Sequence, residues 1–191
     1  MSSAYTVMWN AHRVKIAKEH GFPGGRIPFL FGGPHSSQPD FVRAGVTPGD
    51  TIYPVYVKDG IVRVLAKVVA QRFLSLEQFQ QTHPEYAAYE PHGCGAGGGD
   101  TAVELRHPWL RALYWTCAEH VILAESSSPV VFQKRLPSAM LERLTYASQK
   151  AVRRLRDIED GLLKSITGIQ GIYRLAPSSA ADFASLFPSL D

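Results

Sequence analysis

The chain has 191 residues, which suits one domain with its own hydrophobic core, and its 45% hydrophobic and 19% charged residues are ordinary for a globular protein. It has no run of about 18 apolar residues that would span a membrane, and its N-terminus lacks the basic and then apolar pattern of a secretion signal. Its two cysteines, Cys94 and Cys117, are too few for a disulfide framework. We therefore expect a single-domain cytoplasmic protein with reduced thiols, and the net charge of +3 selects no class of partner.

The N-terminal part of the chain predicts a strand, a short helix and a long loop. Residues 5–9 alternate in polarity and are rich in strand-forming residues, which indicates a first strand. Residues 11–20 fit a helix that Gly21 and Pro23 would end. Residues 21–39 are rich in glycine and proline, and a loop of this length is usually functional.

The clearest pattern is a β-hairpin followed by a helix. A strand at 51–57 leads into the turn Lys58-Asp59-Gly60, and Asp-Gly is favoured in two-residue hairpin turns. Residues 61–69 supply the return strand. Ser75 and Gln78 then have the spacing of a reciprocal cap, which predicts a helix that runs to about residue 81.

The C-terminal half predicts three strands and two helices. The strands are placed at 121–124, 130–132 and 168–175. The first helix opens at Pro137 and keeps a helical apolar spacing as far as Leu155, with Gly161 as its end. Ser179 is expected to cap a final helix that continues through Phe187.

The order of these elements favours an α+β fold. Strands do not alternate regularly with long helices, which argues against a parallel doubly wound sheet. A small mixed or antiparallel β-barrel with flanking helices fits better. The glycine-rich run at 93–99 departs from both the dinucleotide-binding and the Walker patterns, so it predicts a flexible loop.

One turn motif resembles a known superfamily. The pattern Gly45-Val46-Thr47-Pro48-Gly49-Asp50, followed by the hairpin, is similar to the Gly-Asp turn of PUA-like domains, a group that includes the ASCH, EVE and YTH domains. The resemblance implies a PUA-like barrel core over residues 5–144, within a single domain that spans 1–191. Residues 145–191 would form a C-terminal extension with a basic helix, a strand and a helix.

The same resemblance implies binding of RNA, or of a modified or unpaired base, in a cleft between the barrel and the first helix with its loop. In this chain the cleft would include Trp9, Asn10 and Arg26, and Phe29 is a loop aromatic on which a base could stack. The Gly-x-Lys-x-x-Glu pattern of ASCH domains has no match in this loop, so the resemblance assigns no particular base.

Basic residues cluster late in the chain. Residues 134–174 carry nine Lys or Arg against four Asp or Glu, a net charge of +5 on a chain that is otherwise close to neutral. In the predicted helix Lys150, Arg153 and Arg154 share one face, and Arg156 lies within the same two turns. Such a cluster can hold phosphates, and the alternative is a solvated helix face.

The sequence therefore predicts a nucleic-acid-binding protein, with RNA favoured over DNA. The predicted contacts are Trp9, Asn10, Arg26, Phe29, Lys150, Arg153, Arg154 and Arg156. No cofactor and no metal are predicted, because the seven His and two Cys lack paired ligand spacing. Two alternatives stay open: a metal-independent ribonuclease, and a protein-interaction or regulatory module whose basic segment meets an acidic protein.

Overall fold

The computed structural model describes residues 2–34, 39–86, 106–113, 118–148 and 151–188 of the chain. Within these ranges the fold is α+β, with one large and mostly antiparallel sheet and a few helices. The strands are β1 (Ala4–Met8), β2 (Phe29–Gly32), β3 (Thr51–Lys58), β4 (Ile61–Val64), β5 (Val68–Ser75), β6 (His120–Ser127), β7 (Thr145–Ala147), β8 (Val152–Arg154), β9 (Ile158–Glu159), β10 (Leu162–Leu163) and β11 (Ile172–Arg174). The α-helices are α1 (Ala11–His20), α2 (Leu76–Thr82), α3 (Ser138–Glu142) and α4 (Pro177–Ser185). None of the helices in these ranges is long and apolar enough to cross a membrane.

The large sheet has seven strands in the order β11-β1-β3-β5-β6-β2, with β4 also paired to β3. β1 and β3 run parallel, with Tyr5 opposite Ile52, whereas the other neighbours run antiparallel. β11 and β2 form the two edges of this sheet in the described residues. The predicted first strand, the helix at 11–20 and the hairpin turn after β3 are confirmed.

Two local sequence patterns are confirmed in detail. The Ser75 hydroxyl accepts the Gln78 N–H at 3.1 Å and the Gln78 side chain accepts the Ser75 N–H at 3.0 Å, which is the predicted reciprocal cap of α2. Asp59 and Gly60 have φ angles of 54° and 72°, as a two-residue hairpin turn requires. Both patterns depend only on residues that are at most three positions apart in the sequence.

The Gly49-Asp50 turn fixes the start of β3 beside β1. Gly49 has a φ of 84°, a left-handed conformation that glycine adopts without strain, and its N–H donates to the Ala70 carbonyl at 2.7 Å. The Asp50 carboxylate is buried and accepts the Ser3 N–H at 2.6 Å, the Thr47 N–H at 2.8 Å and the Thr47 hydroxyl at 3.0 Å. The turn motif therefore joins three segments of the sheet.

The return strand predicted at 61–69 is wrong as a single element, since it divides into β4 and β5. Between them the Leu65 N–H donates to the Pro54 carbonyl, and the Leu65 carbonyl accepts the Val131 N–H, both at 2.8 Å. β4 pairs with β3, whereas β5 pairs with β6 and also, through Val68 and Val69, with the start of β3. This change depends on a segment more than sixty residues away, which the local pattern does not contain.

Side chains of the sheet alternate between two hydrophobic cores, one on each face. On β3, Ile52 faces the first core, whereas Tyr53 and Val55 face the second, as the two-residue period of a strand requires. The first core contains most of the aromatic residues of the N-terminal half, including Trp9, Phe22, Phe29, Phe31, Phe41 and Phe79. The second core packs the C-terminal part of the chain onto the sheet through Leu144, Tyr146, Leu155, Leu163, Ile169, Leu175, Phe183 and Phe187.

The basic helix predicted between Pro137 and Gly161 is wrong. The chain forms the short α3, then the β7–β8 hairpin, and then the β9–β10 hairpin. Asp160 and Gly161 have φ angles of 51° and 71°, so Gly161 belongs to a hairpin turn and does not end a helix. The apolar residues at helical spacing are held by pairing instead, because the Leu155 N–H donates to the Leu144 carbonyl at 2.8 Å.

Three further boundaries differ from the prediction. α4 starts at Ala176 as its N-cap, and the Ser179 hydroxyl accepts the Thr145 N–H at 2.9 Å instead of capping the helix. Residues 130–132 are described and form no strand. The last strand, β11, is shorter than predicted. In each case a partner from a distant part of the chain decides the local structure.

Acid is expected to destabilise the fold through His120. Its Nε2 atom is buried and has no hydrogen-bond partner among the described residues, and its ring lies near those of Phe41 and Phe73. Burial lowers the pKa of the imidazole from its ordinary value of 6.5, and the charges of Asp40 and Glu119 oppose this only partly. The folded state therefore binds the proton less readily than the unfolded state, so the free energy of unfolding should fall as the pH drops below about 6.5.

Urea unfolding between about pH 7.5 and pH 5 measures this effect. His120→Leu should flatten the decline of stability with acid relative to the wild-type chain. The matched variant His20→Gln, which changes an exposed imidazole, should leave the decline as it is. An unchanged slope in His120→Leu would show that the acid sensitivity arises elsewhere.

Candidate nucleic-acid interface

The β7–β8 hairpin positions the arginines of the basic segment. Its register places Arg154 opposite Thr145, and Arg153 opposite Tyr146. Since directly opposed residues share a face of a strand pair, Arg153 lies on the side of Tyr146, which belongs to the second core. Arg154 projects to the other side, where its Nε donates to the Glu142 carbonyl at 2.7 Å.

Three arginines line one surface groove of about 300 Å³. The lining residues are Arg153, Arg154, Arg156, Asp157, Thr167 and Gly168. We name it the arginine groove. All three arginine side chains belong to exposed residues, and Asp157 is the single acid in the lining. The groove therefore carries an excess of positive charge.

Among the described residues, Arg153 and Arg154 have backbone or ring partners, and none of the three arginines of the groove has a carboxylate partner. Arg153 Nη2 donates to the Gly168 carbonyl at 3.4 Å, and the Arg153 guanidinium carbon lies 5.8 Å from the centre of the Tyr173 ring. The ion pairs within the described residues are Lys15–Glu19, Arg143–Asp182 and Lys164–Glu159. No carboxylate of the described residues therefore neutralises Arg153, Arg154 or Arg156 through an ion pair.

A neighbouring arginine shows the contrast. Arg143 donates from Nε and Nη2 to the two carboxylate oxygens of Asp182 at 2.8 and 2.7 Å, a bidentate pair. These hydrogen bonds lower the pKa of Asp182 and raise the pKa of Arg143. Arg143 is thus already neutralised by Asp182, whereas the arginines of the groove have no such pair among the described residues.

An adjoining groove of about 280 Å³ shares two arginines with the first but has a different charge balance. Its lining residues are Glu142, Arg154, Leu155, Arg156, Asp157, Ile158 and Asp160. Three acids here offset two arginines. An anion is therefore expected to favour the side of Arg153 and Gly168 over this one.

Arg26 lies in a separate basic groove of about 350 Å³. Its lining residues are Arg26, Lys67, Ser126, Ser127, Ser128, Pro129, Phe187 and Pro188, with no acid among them. The Arg26 guanidinium donates to the Ser127 carbonyl. The two basic grooves share no lining residue.

The predicted cleft around Trp9 is not formed as expected. Trp9 is 1% exposed and Phe29 is 4% exposed, so the interpretation of either ring as a surface platform for a base is wrong. Both residues pack among the aromatic residues of the first core, Trp9 against Phe22 and Phe29 against Phe31 and Phe79. Their apolar character in a loop-rich region signals core here, as it does for most aromatic residues.

The other predicted contact residues do not form one site. Asn10 is exposed and caps α1, with its side-chain oxygen accepting the Arg13 N–H at 2.9 Å. The lining of the Arg26 groove does not include Asn10. Lys150 lies outside the described residues. The structure thus brings together Arg153, Arg154 and Arg156, and it leaves Arg26 in its own groove.

Several residues that line the two grooves, and Tyr173 beside Arg153, are not among the predicted contacts. Thr167 and Gly168 belong to a short 3-10 helix capped by the Ser165 hydroxyl, and a Ser two positions before a Thr-Gly pair could have indicated this turn. Tyr173 was expected in a strand, but no local signal places it under Arg153. Lys67 enters its groove only through the break between β4 and β5.

No metal centre is present in the described part of the chain, where no three His, Cys, Asp or Glu side chains cluster. The glycine-rich run at 93–99, with Cys94 in it, and Cys117 lie outside the described residues. A scan against protein-family models found no match to this chain, and searches of curated proteins and of solved structures found none either.

Proposed function

We propose that this chain binds nucleic acid, with RNA as its preferred partner, and that the arginine groove holds backbone phosphate. One observation carries the proposal: Arg153, Arg154 and Arg156 converge on one groove, and none of them is ion-paired within the described residues. Guanidinium groups bind phosphate oxygens through paired hydrogen bonds, which makes a cluster of unneutralised arginines a suitable phosphate site.

The favourable free energy of binding would come from neutralisation of the phosphate charge. Each phosphate that an arginine neutralises releases condensed counterions, so affinity depends on the salt concentration and carries no base preference by itself. The carboxylate of Asp157 repels a phosphate group that approaches from its side of the groove. We therefore expect the phosphate to approach over Thr167 and Gly168.

We further propose that the sheet is a PUA-like barrel. The parallel β1–β3 pair and the Gly49-Asp50 turn that joins them support this assignment. On this proposal the barrel core supports the C-terminal extension. The phosphate site then lies in the extension, and not in the predicted cleft beside α1.

Removing two groove arginines is expected to weaken binding strongly. In Arg154→Ala/Arg156→Ala, the affinity for labelled single-stranded RNA should fall roughly 10- to 100-fold at low salt, because charged hydrogen bonds to phosphate are lost. The slope of log affinity against log salt should become shallower by about 2. Equilibrium binding across a salt series measures both quantities.

The matched control is Arg43→Ala/Arg72→Ala, which removes two positive charges from exposed positions outside both grooves. It should change the affinity far less. Equal losses in the two double variants would reject a localised phosphate site. Absence of binding to RNA, single-stranded DNA and duplexes at low salt would reject the proposal, and shortening of the RNA without added metal would replace it with a ribonuclease.

A further inference from the structure

Arg153 differs from the other two arginines of the groove because it lies on an aromatic stack. The Tyr146 and Tyr173 rings have centres 5.1 Å apart with planes inclined by 38°, and the Arg153 guanidinium follows at 5.8 Å from the Tyr173 centre. The Tyr146 side chain is buried in the second core, so the stack begins on a rigid base. Arg153 is its exposed end.

The orientation of Arg153 is set from two directions. The electron-rich face of Tyr173 attracts the cation, and Nη2 donates to the Gly168 carbonyl. The Arg153 guanidinium lies next to the Tyr173 ring and is exposed, so a ligand can reach it. Arg154 is tied only through Nε, and its two Nη groups, like the guanidinium of Arg156, have no described partner and so can donate to phosphate.

We propose that Arg153 is the stacking platform for one unpaired base, while Arg154 and Arg156 hold the adjacent phosphate, so that the ligand is single-stranded. This inference rests on the proposed function and adds the class of nucleic acid to it. Bases of unpaired strands stack on guanidinium planes as they do on aromatic rings. In a duplex both faces of a base are already covered by its neighbours, so it could not reach Arg153 without being flipped out.

Arg153 has two properties that a lysine substitution separates, its positive charge and its planar surface. Arg153→Lys keeps the positive charge but loses the planar surface. It should therefore weaken stacking and leave the number of neutralised phosphates unchanged. Arg154→Lys is the matched control, because the same change at a phosphate contact should affect every ligand with the same charge alike.

The experiment compares an oligouridylate of roughly 12 nucleotides with the same strand lacking all its bases. The wild-type chain should bind the oligouridylate about tenfold more tightly than the abasic strand. In Arg153→Lys this preference should disappear through weaker binding of the oligouridylate, with an unchanged salt slope. In Arg154→Lys the preference should remain. Because Arg153 is exposed, the urea unfolding midpoint of the Arg153→Lys chain should equal that of the wild-type chain, which verifies that the variant folds.

Two outcomes would overturn the stacking role. One is an Arg153→Lys chain that keeps the wild-type preference for the base-containing strand. The other is a duplex of equal phosphate number that binds as tightly as the single strand. In both cases Arg154→Ala/Arg156→Ala would still weaken binding, and the phosphate site would stand. If that double variant binds the oligouridylate, the abasic strand and the duplex as tightly as the wild-type chain does, the proposed function itself is wrong.

Discussion

Replacing Trp9 by alanine is expected to lower the free energy of unfolding by about 3–5 kcal/mol. The indole is buried in the first core, where its ring packs against Phe22 at a centre distance of 6.0 Å. The Arg13 guanidinium lies 5.7 Å from the indole centre. The backbone N–H of Trp9 donates to the Val55 carbonyl at 2.8 Å, a hydrogen bond that alanine keeps. Alanine would leave a cavity at the junction of β1, α1 and β3 that the packed neighbours can fill only partly.

Urea unfolding gives the loss of stability, and Trp9→Phe is the matched variant that keeps an aromatic ring and should lose less. The affinity of the folded chain for single-stranded RNA should be unchanged in both variants. A Trp9→Ala chain with nearly wild-type stability and weakened RNA binding would restore Trp9 to the binding surface and contradict its place in the core.

Replacing Asp50 by alanine is expected to cost about 3–4 kcal/mol of stability. The carboxylate is 3% exposed and accepts three hydrogen bonds, two from Thr47 and one from Ser3. Alanine leaves the N–H groups of the half-buried Ser3 and of Thr47 without this acceptor, and a hydrogen bond to a charged group contributes about 1.5–3 kcal/mol. The effect should be large because these bonds join the first residues of the chain to the turn that starts β3.

Asp40→Ala provides the comparison. The Asp40 carboxylate makes the same local contact, accepting the Arg43 N–H at 2.9 Å, but this hydrogen bond is exposed, so water can replace it. Its loss should cost less than about 1.5 kcal/mol. Similar losses of stability in the two variants would show that Asp50 acts only through its local turn and does not join β1 to β3.

These variants separate stability from binding by position. Trp9 and Asp50 are buried next to β1 and β3, whereas the three arginines of the arginine groove are exposed. Changes in the groove should therefore alter affinity with little effect on unfolding. Changes at Trp9 or Asp50 should do the reverse, and a mixed result would indicate that the extension and the sheet are coupled.

Part of the candidate site could be predicted from the sequence. The charge pattern singled out Arg153, Arg154 and Arg156, and the structure places these three around one groove. The predicted reason for their proximity, a shared helix face, is wrong. They line one groove together with residues 167–168, with Arg153 and Arg154 on β8 and Arg156 two residues after it. Charged residues that are close in sequence stay close in space in a helix and in a strand. The predicted clustering of positive charge is therefore independent of the error in secondary structure.

The sequence by itself determined the features whose hydrogen bonds close within a few residues. These are the helix of residues 11–20, the Asp59-Gly60 turn and the reciprocal cap of α2. Their energies depend on backbone conformation and neighbouring side chains, and both can be read from a short segment.

Only the tertiary structure decided the roles of Trp9, Arg153 and Tyr173. Trp9 is buried because α1 and β3 enclose it, and Arg153 lies over Tyr173 because β7 pairs with both β8 and the residue that follows β11. Burial and strand pairing depend on partners far along the chain, and the same apolar spacing is compatible with a helix or with two short strands until those partners are present.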